Sequence, residues 1–289
     1  MSYLILAHLD DETALLSAAA LRRLHGQESV EVISPEALAM APRWLHTLTK
    51  APIASTPGGL QVHTEITLAS GRSLTEEGLK VVFNRLRWAD PPHFASASAV
   101  DREYASAEMS ALWVSWLVGL QAQGIRVINP PGQGGLQPTT NRLEWLKLAA
   151  QTGLPVAEIY VRRRGSVEFD NEADQSRLDD TQSINQPKRP TSTIILAAGE
   201  WIVPLNQDIH GEVTEKNFLI EELEGKINLL QERSGCRLLE LLFTPVSGGA
   251  GGQLADNLAW SLAAVNPFPV LTARLGIEAI ARMLEEAGR

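Results

Sequence analysis

Two apolar runs near the end of the chain, residues 238–243 and 258–265, constrain its fold more than any other feature. Each has the length of a β-strand, and a glycine-rich segment, 247–252, joins them. The first run carries one acid, Glu240, and alternation turns it away from the face that Leu239 and Leu241 occupy. The second run ends in Asn266-Pro267-Phe268-Pro269, where proline stops the ladder. A carboxylate in one strand and an amide at the mouth of the other make a candidate cation site. Mg²⁺ takes oxygen ligands of this kind and commonly bridges them to nucleotide phosphates. A plainer reading stays open for each residue: a solvated strand position for Glu240, and a strand end for Asn266. The SGGAGG segment lacks the Gly-Lys-Ser/Thr ending of a P-loop and reads as a flexible connector.

The chain's beginning constrains the other half. Residues 3–7 are apolar, residues 10–12 are acids, and a leucine- and alanine-rich helix follows to about His25, with Arg22 and Arg23 near its end. Acids first and bases last suit the helix dipole, and Gly26 is a natural stop. Residues 30–33 read as a second strand, so β-α-β order implies a parallel pair with a right-handed crossover. Residues 61–68 alternate as a half-buried strand does, and 79–86 contains another strand. Between them, Ser73 and Glu76 have capping-box spacing. The longest helical pattern is 101–123, with Tyr104, Met109, Leu112, Trp113, Trp116, Leu117 and Leu120 largely on one face.

Further on, 125–128 is a strand, 141–152 a helix capped by Thr139 or Thr140, and 156–161 a returning strand. Residues 162–190 are polar, with arginines at 162–164, and read as a loop or linker. A hairpin over 193–205, an amphipathic helix over 215–232 and a terminal helix over 276–287 complete the pattern. Arg85, Tyr104 and Glu108 are candidates for a cleft between domains, ordinary packing being the alternative.

Composition narrows the function classes. With 44% hydrophobic and 20% charged residues, 289 residues suffice for two or three packed units. No apolar run approaches the ~20 residues of a membrane span, and the N-terminus lacks a basic signal-peptide start. One cysteine, Cys236, excludes an intramolecular disulfide and reads as an inert core thiol. A cytoplasmic address is expected, without membrane association. A net charge of −9 argues against nucleic acid as a partner.

Several segments, in order, resemble the ATP-grasp superfamily of carboxylate–amine ligases. The most telling is INPPGQGGLQPTTNRLEWLKLAAQTGLPVAEIYV, residues 128–161, similar to that family's strand, Asn-Pro-Pro turn, helix and Gly-Leu-Pro-Val-Pro lead into the nucleotide-binding domain. TSTIILAAGEWIVPL resembles the hairpin after the family's lid. VVFNRLRW with the helix after it resembles the pre-grasp domain, and the C-terminal strand pair resembles the metal-binding strands. The resemblance implies an α/β protein: a Rossmann-like N-terminal domain over 1–95, then an α+β region over 96–289 with a mixed sheet and a shortened lid around 162–190. It also implies ATP and Mg²⁺ as cofactors, Arg142 and Lys188 as nucleotide contacts, and Glu240 and Asn266 as metal ligands.

The chain departs from the family pattern in places. Family members usually end the last strand Glu-x-Asn, whereas this chain has Ala264-Val265-Asn266. Arg142 stands where the first ATP-contacting lysine falls, and Lys188 is the lysine left in the lid interval. The expected function is therefore a diverged ATP-grasp-like protein of weak or lost ligase activity, serving as a binding or regulatory partner of a protein or peptide. The alternative is an active ATP- and Mg-dependent ligase joining a carboxylate to an amine on a peptide or amino acid. A third reading rests on Ala7-His8-Leu9-Asp10-Asp11-Glu12, similar to the Ala-His-Pro-Asp-Asp-Glu motif of zinc-dependent deacetylases. There His8 and Asp11 would bind zinc and Asp10 would be the base. Such zinc needs a further histidine, and no remaining histidine has a matching context. Read from the residues alone, the acids cap the first helix and His8 is a loop residue. Oligomeric state has no signal in the sequence.

Overall fold

The computed structural model describes residues 1–50, 60–132, 136, 142–157, 192–205, 214–246 and 260–289. Its first sheet is parallel. Strands β1 (Tyr3–Leu6), β2 (Val30–Ile33), β6 (Val81–Asn84) and β7 (Arg126–Ile128) lie in the order β2-β1-β6-β7. β1 and β6 are apolar along nearly their whole length because the sheet is covered on both faces. Tyr3, Ile5, Val81 and Phe83 point to one side, Leu4, Leu6 and Val82 to the other. The fourth strand comes from beyond the expected division near residue 95.

One face of this sheet meets the short helix α2 (Pro35–Ala39), helix α3 (Ala99–Ala122) and a small antiparallel sheet of β3 (Arg43–Lys50), β4 (Leu60–Thr67) and β5 (Ser73–Leu74). Trp113, Trp116, Leu117 and Leu120 form the buried stripe of α3, and Trp44 meets the Trp116 ring edge-on at 5.6 Å. No residue of α3 before Trp113 is buried, so Tyr104 and Glu108, expected on the inner face or in a cleft, face solvent. The capping box expected at Ser73 and Glu76 does not form. Ser73, in β5, pairs with Thr67 of β4, and the Glu76 carboxylate is taken by the Thr64 N–H at 3.0 Å instead.

The other face meets helices α1 (Glu12–His25) and α6 (Arg274–Ala287). Helix α6 also packs on a second sheet of β8 (Thr193–Ala198), β9 (Trp201–Pro204), β10 (Leu238–Pro245) and β11 (Trp260–Asn266). Its order is β11-β10-β8-β9, antiparallel throughout, with Val156 adding a parallel bridge to Leu262 at its edge. Leu196, Ala198 and Leu238 of this sheet share one core with Ile5, Phe83 and the α6 residues Ile277, Ile280 and Leu284. A single apolar layer thus fixes the two sheets to each other. The far face is closed by α4 (Arg142–Gln151) and α5 (Thr214–Ser234), through Trp145, Leu146, Leu223 and Ile227 against Ile195, Leu239, Leu241 and Phe243. Cys236 is part of this core, and burial pushes its thiol up to about 12, as an inert thiol requires. Of the strand expected over 156–161, the Val156 bridge is present, and residues from 158 on lie outside the described residues.

Candidate functional site

The last strand pair brings its two polar residues together. In the β10–β11 register Glu240 lies directly opposite Asn266, which sets the Asn266 amide beside the carboxylate. Burial pushes the Glu240 carboxyl above its ordinary range, and the amide offsets part of that rise. Leu239 and Leu241 pack on the α4–α5 side, so Glu240 and Asn266 share the opposite face. Ala264, two residues before Asn266 in β11, lies on that same face. A second carboxylate there would stand diagonally across from Glu240.

Arg142 reaches the same strand by another route. The register shifts between Leu242 and Phe243, which leaves Ala263 without an opposite residue in β10. Such a bulge releases a backbone group from the ladder. The Ala263 carbonyl accepts from Arg142 Nε at 2.9 Å. A residue from the first turn of α4 is thereby tied to β11, three positions before Asn266. Lys188, the lid around 162–190, the arginines 162–164, Thr139, Thr140 and the segment 247–252 lie outside the described residues.

Two residues whose roles sequence reasoning does not reach hold this strand pair in place. Asn129, after β7, is buried and adopts φ 55, a left-handed conformation that asparagine tolerates. Its Nδ2 donates to Leu238 O at 3.1 Å and Pro267 O at 2.7 Å, and its Oδ1 accepts from Leu238 N at 3.0 Å. One side chain thus ties the start of β10 to the end of β11. The signal available in the sequence is the Asn-Pro-Pro-Gly turn, which marks an unusual backbone but names no partner. Arg85, after β6, is the second. Its side chain is only 1% exposed, so it forms part of the interior rather than a cleft wall.

The Ala-His-Leu-Asp-Asp-Glu motif is used structurally. Asp11 caps α1 by accepting from Ala14 N at 3.0 Å, and its other oxygen accepts from Arg85 Nε at 2.6 Å. His8 Nδ1 lies 3.3 Å from Glu36, its ring stands beside Trp88, and Asp10 is exposed. Among the described residues no group of three or more His, Cys, Asp or Glu side chains is placed to hold a metal.

No protein-family model and no curated protein matches the chain. Solved structures do match it over nearly its whole length. The macrocyclase MdnC from Microcystis aeruginosa MRC, bound with precursor peptide MdnA, superposes with a TM-score of 0.63 at 12% identity, over 99% of this chain and 100% of that one. A RiPP-associated ATP-grasp ligase from Chryseobacterium gregarium, in complex with ADP and a leader and core peptide, gives 0.56 at 13% identity over 99% and 97%. The ATP-grasp ligase PsnB, complexed with minimal precursor, Mg and ADP, gives 0.57 at 12% identity over 99% and 97%. The chain has an ATP-grasp-like α/β fold.

Proposed function

We propose that this chain is an ATP-grasp-fold protein that binds Mg-nucleotide at the face of the β10–β11 strand pair, takes a peptide as its partner, and ligates weakly if at all. The observation that carries the reading is the direct opposition of Glu240 and Asn266. The residues fit the ion. A carboxylate whose burial disfavours its charged form is an oxygen donor that a hard divalent cation satisfies, and Asn266 Oδ1, which accepts from Phe268 N at 2.9 Å, has a second lone pair to offer it. Glu240 and Asn266 would hold Mg²⁺, and Arg142 would meet phosphate, joined by Lys188 on the strength of the family resemblance. ATP, when bound, supplies the phosphoryl group that activates a carboxylate toward an amine. Ala264 is the reason for weak ligation: its methyl group cannot supply the second acidic ligand that family members usually carry two residues before the asparagine. The peptide partner is supported by the peptides present in the MdnC, C. gregarium and PsnB structures. No helix among the described residues is long and apolar enough to cross a membrane, and the charge of −9 supports a partner other than nucleic acid. A cytoplasmic site of action belongs to the same reading.

A second reading is a fully active peptide ligase. It is favoured by the near-complete coverage of ligase structures that hold ADP and peptide. One experiment separates the two. Thermal shift is measured with Mg-ADP and Mg-ATP on the wild type and on Glu240→Ala, then ADP release and peptide mass are followed with peptides rich in Asp, Glu and Lys. A nucleotide-dependent rise in melting temperature that Glu240→Ala abolishes supports nucleotide binding at this strand pair. Binding without ADP release favours the diverged reading. ADP release matched by loss of water from the peptide favours the active ligase. Absence of any nucleotide shift in folded wild type overturns both.

A further inference from the structure

We infer that Arg85 is a positioning residue for the candidate site, fixing the turn that orients Asn266 and, across the strands, Glu240. The inference rests on the reading of that strand pair as the Mg-nucleotide site. It follows from the polar groups of the segment after β11. Pro267 and Pro269 have no N–H, so their carbonyls are their backbone handles. Three consecutive carbonyls are each taken by a side chain from the carboxyl ends of the parallel strands. Pro267 O accepts from Asn129 Nδ2 at 2.7 Å, Phe268 O from Arg87 Nη2 at 3.3 Å, and Pro269 O from Arg85 Nη2 at 2.9 Å. Thr13 of α1 continues the series, accepting from Leu271 N at 2.7 Å. Within the turn, Phe268 N donates to Asn266 Oδ1 at 2.9 Å. The orientation of the Asn266 amide therefore depends on where Phe268 sits, and donors from the N-terminal sheet decide that.

Arg85 shares the Pro269 carbonyl with Thr13 Oγ1, which lies 3.2 Å from it, and is the member of this set that also joins the segment to the acid capping α1. Its guanidinium reaches in two directions at once, Nε to Asp11 and Nη2 to Pro269, and it lies 5.9 Å from the Phe268 ring centre. Arg87 lies 5.2 Å from the same ring, so Phe268 has a cation on either of two neighbouring positions. A buried ion pair is a poor source of stability, because desolvation offsets its attraction and apolar residues of similar volume often do as well. Here Nη1 is also buried with no hydrogen-bond partner among the described residues. What a guanidinium supplies and an apolar side chain does not is a fixed fork geometry. Asp11 completes the device, since its other oxygen is fixed by the first turn of α1. Placed between β6, α1 and the Phe268–Pro269 carbonyls, Arg85 sets the distance between the parallel sheet and the end of β11.

The test compares wild type, Arg85→Met, Arg85→Lys and Arg87→Ala, using Mg-ADP affinity by calorimetry and amide hydrogen exchange at Phe268. Arg85→Met is expected to raise the Mg-ADP Kd by about tenfold, the scale typical of groups that orient metal ligands, and to speed exchange at Phe268 by a similar factor. Arg85→Lys, with charge but no fork, recovers less than half of either loss. Arg87→Ala changes both readouts in the same direction by a smaller factor. A purely structural residue would lower the melting temperature and leave affinity in the folded protein unchanged; that result for Arg85→Met overturns the inference. Should Arg85→Met fail to fold, Arg87→Ala decides, since it leaves the Arg85–Asp11 pair intact and an unchanged Kd there overturns the inference equally. Wild type that binds no Mg-ADP overturns the reading of the site itself, which the variants cannot mimic.

Discussion

Glu240 and Asn266 stand directly opposite one another across β10 and β11, which sets a neutral amide beside a carboxylate raised by burial. This arrangement makes the strand pair electrostatically incomplete. An ionised Glu240 loses solvation on folding and gains one neutral partner, so the folded protein gains from a cation there.

The pH dependence follows from the direction of that shift. The folded Glu240 carboxyl holds its proton to higher pH than the unfolded chain, whose ordinary glutamate value is about 4.3. Between those two values the native state binds more protons, so stability falls as pH rises, and the loss is complete once pH has passed the folded value. Glu240→Gln removes the charge and keeps a partner for Asn266. At pH 7 without metal it is expected to melt above the wild type by ~2 °C, as solvent screening limits the gain to ~1 kcal/mol or less. The difference should close below pH 4. Millimolar Mg²⁺ should raise the wild type and leave Glu240→Gln unmoved. Calorimetric melting curves at pH 4 and pH 7, with and without Mg²⁺, check this; a variant that melts lower at pH 7 contradicts it.

Ala264 offers the converse experiment. It shares a strand face with Asn266 and stands diagonal to Glu240, where cross-strand side chains of some length can meet. Ala264→Glu is expected to lower metal-free stability by ~1 kcal/mol through like-charge repulsion, and Mg²⁺ should restore it. Mg-dependent ADP release should rise by at least about tenfold if the absent carboxylate limits turnover. Tighter Mg²⁺ binding with unchanged ADP release would place the limitation elsewhere in the chain.

The sequence made the architecture legible where burial imposes a pattern. Tyr3–Leu6 and Val81–Asn84 are continuous apolar runs because both faces of their sheet are covered. Glu240 interrupts such a run, and that interruption marks the candidate site. β3 has no such pattern: Leu45 is exposed, while the half-buried His46 bonds Thr64 at 2.9 Å and Ser115 at 3.0 Å. Ser73 and Glu76 mislead because Glu76 finds a backbone N–H in the neighbouring strand rather than in a helix of its own. The roles of Arg85 and Asn129 were hidden for a different reason. Arg85 bonds residues 74 and 184 positions away, and Asn129 bonds residues 109 and 138 positions away. Local spacing carries no trace of such partners. The motif at His8–Asp11 shows the same limit, since the capping acid was legible and its arginine was not.

Asn129 gives a third prediction. Its side chain serves Leu238 N, Leu238 O and Pro267 O, with Leu238 fully buried. Asn129→Ala leaves three backbone groups without that partner, at ~1–3 kcal/mol for each that water cannot reach, and adds strain at φ 55. A loss of ~3 kcal/mol or more in urea unfolding is expected. Asn129→Gly removes the strain and not the bonds, so it should recover ~1 kcal/mol relative to alanine. Equal stability of all three proteins would show that water replaces the amide at no cost.

Gly119 tests how α3 seats on the small antiparallel sheet. A Cβ added there would lie 2.6 Å from Val62 Cγ1 and 3.0 Å from Val62 Cβ, closer than real contacts allow. Alanine favours a helix over glycine by about 1 kcal/mol, so propensity alone predicts that Gly119→Ala stabilises. Packing predicts the opposite. Val62 is branched at Cβ, nearly buried and held in its strand between Thr47 and Thr49 on the partner, so it cannot rotate clear cheaply. Overpacking of this kind costs ~1–3 kcal/mol, enough to exceed the propensity gain at the upper part of that range. Gly119→Ala is therefore expected to lower stability by ~1 kcal/mol net, and Val62→Ala alone by a similar or larger amount through its cavity. The double variant discriminates. Removing the two Val62 methyl groups opens the space that the new Cβ needs, so its loss should fall short of the sum of the single losses by at least ~1 kcal/mol. Additive losses in chemical unfolding would mean that α3 shifts to accommodate the methyl group, and that its contact with β4 is looser than these distances require.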